Sequence, residues 1–192
     1  MKRRWALVVI GAWLIGSICM SVIASENFYT VDHLLGASSN AAFTELVQKL
    51  GQPAARELLR FLSSELNRLY FQMWNVAQAV LGVTMLWLVS GSEEQDPARV
   101  LRSDRAATQA RRADPAGPAG KGVIVMLAIV VLMLAYLTPA IVSLGRELDF
   151  VPRDPAPPGM SRFWVLHAAY TSLEMIKLLV GGLVAFWLTR RP

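Results

Sequence analysis

The chain has 192 residues, 54% of them hydrophobic and 17% charged, with a formal net charge of +5. The charged fraction is below the roughly 25% usual for soluble domains, the mean hydropathy is +0.41, and the length fits one domain of ordinary size. The basic excess does not indicate nucleic acid, because the basic residues sit mostly beside apolar runs; the single cysteine, Cys19, excludes an intramolecular disulfide framework, and the Cys/His spacings of structural zinc sites are absent.

Four apolar runs are each long enough to cross about 30 Å of hydrocarbon as a helix rising about 1.5 Å per residue. They cover residues 5–25, 69–90, 122–145 and 163–189, and only the last contains charged residues. The predicted fold is an all-α integral membrane protein, a four-transmembrane-helix bundle in one membrane domain. Amphipathic external helices join spans one and two.

The opening MKRRWALVVIGAWLIGSICMSVIAS also fits a signal peptide, with a basic start, an apolar stretch and Ala24 at a possible cleavage point. The reading adopted is a retained helix. Lipidation of Cys19 is disfavoured because Ile18 stands where a small residue is needed. The external segment 38–68 is predicted helical. Ser39 or Asn40 caps a short helix that Gly51 ends, with Phe43, Leu46, Val47 and Leu50 on one face. Pro53, a favoured first-turn residue, restarts the chain. Leu58, Leu59, Leu62 and Leu66 then form an apolar stripe, and no breaker interrupts a long helix from Pro53 to about Ser90.

Residues 91–121 form a polar loop rich in Pro, Gly, Ala and Arg. It reads as a solvated linker, with Arg111, Arg112 and Lys121 as candidates for anionic lipid headgroups. In span three, Pro139 predicts a kink and a freed carbonyl near Ala135. Residues 146–162 are read as an external loop, whose Pro-rich part, 153–162, is a rigid connector between spans three and four. Lys and Arg concentrate at the N-terminus, in the 91–121 loop and at the C-terminus, which places both termini in the cytoplasm.

Span four, FWVLHAAYTSLEMIKLLVGGLVAFWLT, carries the site candidates. His167, Thr171 and Glu174 share a face at spacings of four and three, flanked by Tyr170 and Lys177. On span two, Arg68, Gln72, Asn75 and Gln78 form a second stripe. Spans two and four run in the same direction, so Arg68 and Gln72 match His167 in depth, and Asn75 and Gln78 match Glu174. A carboxylate near mid-membrane needs a partner. Lys177 supplies one, and the amides supply interhelical hydrogen bonds. This polar face is read as structural glue between spans two and four, with a proton path or substrate site as the functional alternative. Small-xxx-small pairs such as Gly181/Ala185 favour close helix packing.

Metal binding has weak candidates in His33, His167 and Cys19. Imidazole with sulfur suits copper(I), and two histidines suit haem. No tight ligand spacing supports either, so no cofactor is expected. Nucleophile elbows, P-loops and dinucleotide fingerprints are absent.

WLIGS at 13–17, ELNRLYFQMWNVAQAVLG at 65–82 and FWVLHAAYTSLEMIKLLVGGL at 163–183 resemble the bacterial family known as domain of unknown function 4149, related to eukaryotic transmembrane protein 205. The resemblance implies a four-helix integral membrane protein without an established activity. The chain is also distantly similar to four-helix membrane proteins of the copper-resistance D type, but it lacks the helix-one histidine expected of them. The expected function is non-enzymatic: an accessory or structural subunit of a larger complex in the bacterial inner membrane. Its expected partners are other membrane subunits and lipids. The alternative is a small transporter or a metal- or haem-binding redox protein using His167, Glu174 and Lys177.

Overall fold

A computed structural model describes residues 1–90 and 117–190. The described residues are all-helical, without strands, and contain four helices long and apolar enough to cross a membrane. These are α1 (Lys2–Ala37), α3 (Gln52–Ser90), α4 (Gly117–Glu147) and α5 (Met160–Arg190), with the short α2 (Ala41–Leu50) between α1 and α3.

The chain signals act locally as expected at α2. Asn40 is its N-cap, the side-chain oxygen accepting from the Phe43 N–H at 3.0 Å. Gly51 closes it at φ 81°, a conformation that glycine adopts without steric cost. Two residues later Pro53 sits in the first turn of α3, where its missing N–H is no loss. α3 is then unbroken for 39 residues, or about 58 Å at the helical rise, roughly twice a hydrocarbon core.

Four expectations differ. α1 does not stop near Ser25 but continues to Ala37, because no proline or glycine lies between Ser25 and Gly36. Hydropathy marks where lipid ends, not where hydrogen bonding ends. The apolar stripe expected on the first part of α3 turns outward: Leu58 and Leu62 are exposed, while Ala55, Ser63 and Asn67 are buried. On α2 only Val47 of the expected face is buried, and Leu46 and Leu50 are exposed. The irregularity expected at Pro139 takes the form of a π-helical turn, Met133–Leu137, placed just before Thr138 and Pro139. A proline cannot donate to the preceding turn, and a widened turn is one way a helix absorbs that loss.

The described residues divide into two compact units: 1–16, 77–90, 117–132 and 172–190 belong to one, and 17–76 and 133–171 to the other. The first has an apolar core of Ile10, Trp13, Met85, Met126, Val130 and Val184. Helices approach closely there. A Cβ on Gly122 would lie 2.5 Å from Val184 Cγ2, and one on Gly181 would lie 2.7 Å from Leu14 Cδ2. The core of the second includes Val31, Val47, Ala55, Met133, Leu137 and Leu148.

Candidate functional site

In the first unit the polar residues of the apolar helices meet one another. Lys177 is 1% exposed, the most deeply buried charged side chain among the described residues. Its ammonium donates to Glu174 Oε2 at 2.6 Å, one helical turn earlier on α5. It also donates to Gln78 Oε1 on α3. The same Gln78 oxygen accepts the indole N–H of Trp13 on α1 at 2.9 Å. Three helices are thereby tied through one amide. A cation in a low-dielectric interior costs several kcal/mol unless a counter-charge and hydrogen bonds surround it. Here the counter-charge is supplied by the same helix and the added acceptor by a neighbour.

The second unit has its own buried group. Asn75, 0% exposed, donates through Nδ2 to Thr138 Oγ1 at 2.8 Å and accepts from Tyr170 Oη at 3.1 Å. The amide bridges α3 to α4 and α5. Phe71 packs edge-on against the Tyr170 ring, with centroids 5.5 Å apart. Thr138 opens the helical segment that follows the π turn, so the irregular part of α4 places its hydroxyl where Asn75 reaches it.

Two further polar contacts lie in the same unit on the first half of α3. Ser63 Oγ donates to the Asn27 carbonyl at 2.9 Å, and Asn67 Nδ2 to the Ala24 carbonyl at 3.0 Å. Both reach α1, on either side of Ser25. Arg68 makes a paired contact with Asp149, at 2.9 and 3.1 Å, and also bonds Glu65. Arg146 lies 3.5 Å from Glu65. The hydrogen bond from Arg68 holds the Glu65 carboxyl below its ordinary value; partial burial opposes this, and Arg146 adds to the lowering. Burial works against the Arg68 guanidinium charge, but its bonds to Asp149 and Glu65 outweigh that and raise its value.

The expected polar face is thus divided. Gln78, Glu174 and Lys177 come together, and Asn75 joins Tyr170, which the spacing had put at the edge. His167, Thr171 and Gln72 do not join them: all three are exposed. The hydroxyl of Thr171 bonds the His167 carbonyl on its own helix, and the His167 ring stacks on Phe163 at 6.0 Å. The physical reason is geometric. Positions 167, 171 and 174 satisfy helical spacing, but so do 170, 174, 177 and 181, and it is the second set that is buried. Arg68 pairs with Asp149 and Glu65 rather than lining up with Gln72 and His167.

Trp13, Ser63, Asn67 and Thr138 were not singled out by sequence. The indole N–H of Trp13 was the available signal, since a buried tryptophan needs an acceptor. Ser63 and Asn67 are spaced four apart and lie on the same stripe as Asn75. His33 and Cys19 are exposed, and no three His, Cys, Asp or Glu side chains gather among the described residues. Lys121 is exposed near the start of α4, while Arg111 and Arg112 lie outside the described residues. Comparison with protein-family models, with curated proteins and with solved structures finds no match.

Proposed function

We propose that this chain is a four-span integral membrane protein of the bacterial inner membrane, with both termini cytoplasmic. In this reading it has no enzymatic activity of its own and serves as an accessory or structural subunit of a larger membrane complex. The spans form a bundle in which buried polar groups fix which helices meet and in what register. The observation that carries this is Lys177, held by Glu174 and Gln78 while Gln78 also accepts from Trp13. Side chains committed to one another in this way act as glue, because lipid gives apolar helices little reason to choose one neighbour over another.

Gln72 and His167 support a partner. Both lie within the predicted spans, yet both are exposed on the monomer. A neighbouring subunit is the natural place for such groups. The resemblance to the domain of unknown function 4149 family belongs to the same reading. What weakens the alternative of a transporter or redox carrier built on His167, Glu174 and Lys177 is that the histidine is exposed while the ion pair is buried.

Purification in mild detergent tests the proposal. The chain is expected to run with partner proteins. If it runs as a lone 21.2 kDa monomer, the subunit reading fails. A bound metal, a visible absorption band, or a liposome flux abolished by Glu174→Gln would favour the alternative.

A further inference from the structure

Serines and asparagines of the second unit bond along α1 or across to α3. Ser21 and Ser25 each donate to the carbonyl four residues earlier on α1, at 3.0 Å in both cases. Asn27, Ser63 and Asn67 bond between the two helices. Two groups of this unit are exceptions. Ser17 Oγ and Trp74 Nε1 are both buried, and neither has a hydrogen-bond partner among the described residues. Ser17 is only 1% exposed, so bulk solvent does not reach its hydroxyl. Nor does it make the bond to its own helix that Ser21 and Ser25 make. A buried donor left unpaired costs about 1–3 kcal/mol, and buried polar groups in folded proteins are paired as a rule.

The two groups stand at one level on facing sides of the helices. The Asn67 amide reaches Ala24 and the Ser63 hydroxyl reaches Asn27, so α1 and α3 run antiparallel here. Ser17 lies seven residues before Ala24, and Trp74 seven residues after Asn67. Seven residues are nearly two full helical turns. Both positions therefore return to the faces that meet at Ala24 and Asn67, about 10 Å further along the pair. Val31, seven residues beyond Ala24, is buried like Ser17, which marks one inward stripe on α1.

The chemistry of the pair defines what fits between them. The indole N–H only donates, the serine hydroxyl donates and accepts, and neither carries a charge. The carbonyls of α1 and α3 at this level are spent inside two unbroken helices. The partner that fits is a small neutral molecule whose oxygen accepts. We propose that Ser17 and Trp74 hold one buried water molecule between α1 and α3. The water accepts from the Trp74 N–H and bonds the Ser17 hydroxyl, so one molecule satisfies two groups that do not bond each other. Buried waters occupy such sites because they pair polar groups that the chain leaves without a partner. The bridge continues the ties that Asn67 and Ser63 make from α3 to α1. It depends on these two helices alone, and not on the membrane or subunit reading.

An experimental structure of the full chain, at a resolution that shows ordered water, tests this. A single spherical density is expected within hydrogen-bond distance of both Ser17 Oγ and Trp74 Nε1. It should be lost in Ser17→Ala and kept in Ser21→Ala, which removes a hydroxyl spent on its own helix. Elongated density, which marks an organic ligand, overturns the proposal; so does a direct bond between the two side chains, or no density at all. Thermal unfolding gives an independent reading. Ser17→Ala and Trp74→Phe should each lower the midpoint. The double variant should lower it by less than the two shifts together, because both act through one molecule. Additive shifts overturn the proposal as well.

Discussion

Trp13 and Lys177 donate to one atom, the amide oxygen of Gln78. Trp13 on α1 and Lys177 on α5 are both fixed by that oxygen. The side chain of Gln78 is therefore oriented: turning the amide over would present its N–H groups to two donors.

Gln78→Leu is expected to destabilise the protein by about 2–4 kcal/mol, because two buried donors lose their acceptor at once. Thermal unfolding in detergent measures it. Trp13→Phe alone should cost less, about 1 kcal/mol, and adding it to Gln78→Leu should cost almost nothing further. Full additivity of the two would contradict a shared acceptor.

Glu174→Gln removes the counter-charge of Lys177 and is expected to cost about 3–5 kcal/mol. The double change Glu174→Gln/Lys177→Met should recover most of that, since no unpaired cation then remains buried. A double variant as unstable as the single one would show that the pair is not what Lys177 depends on.

Around Asn75 the expected losses are smaller. Tyr170→Phe and Thr138→Val each remove one bond to the amide and should cost about 1 kcal/mol, the usual net worth of a buried hydrogen bond. Asn75→Leu should exceed either, because both partners are then left without it.

Gly122→Ala places a methyl 2.5 Å from Val184 Cγ2, and a β-branched side chain has little freedom to move aside. A loss of about 1–3 kcal/mol is expected. Val184→Ala in the same chain should relieve the clash, so the double variant unfolds at a higher temperature than Gly122→Ala.

Glu65 sets a pH dependence. Its carboxyl in the folded chain lies below the ordinary 4.5, chiefly through the Arg68 bond. A depressed folded value stabilises the fold in full above the unfolded value and loses that contribution as pH falls through the folded one. The stability advantage of the natural chain over Glu65→Gln should therefore be constant near neutral pH and shrink below about 4.5. An advantage that grows on acidification would reverse the sign.

Much of this arrangement was legible in the sequence where the chemistry is local. Asn40 and Gly51 bound α2 because an N-cap and a positive-φ glycine act within a turn of themselves. Pro53 starts α3 for the same reason. The four apolar runs were legible because length and hydropathy are summed properties. What sequence did not resolve was rotation. Spacings of four and three fit His167, Thr171 and Glu174 as well as Tyr170, Glu174 and Lys177, and only the neighbouring helices decide between them. Trp13 was hidden for a related reason: within an apolar run a tryptophan counts as apolar, and its single donor matters only once Gln78 stands opposite it. Ser63 and Asn67 went unseen because their acceptors are backbone carbonyls of α1, which carry no sequence signature.

The bonds from Arg3 to the carbonyls of Leu188 and Thr189 place the beginning of α1 within one side chain's reach of the end of α5. A short glycine linker could join residue 190 to residue 2, and the chain could be opened afresh in the stretch between α4 and α5, at the exposed Asp154. Such a circular permutant would keep every helix and every interhelical bond described above.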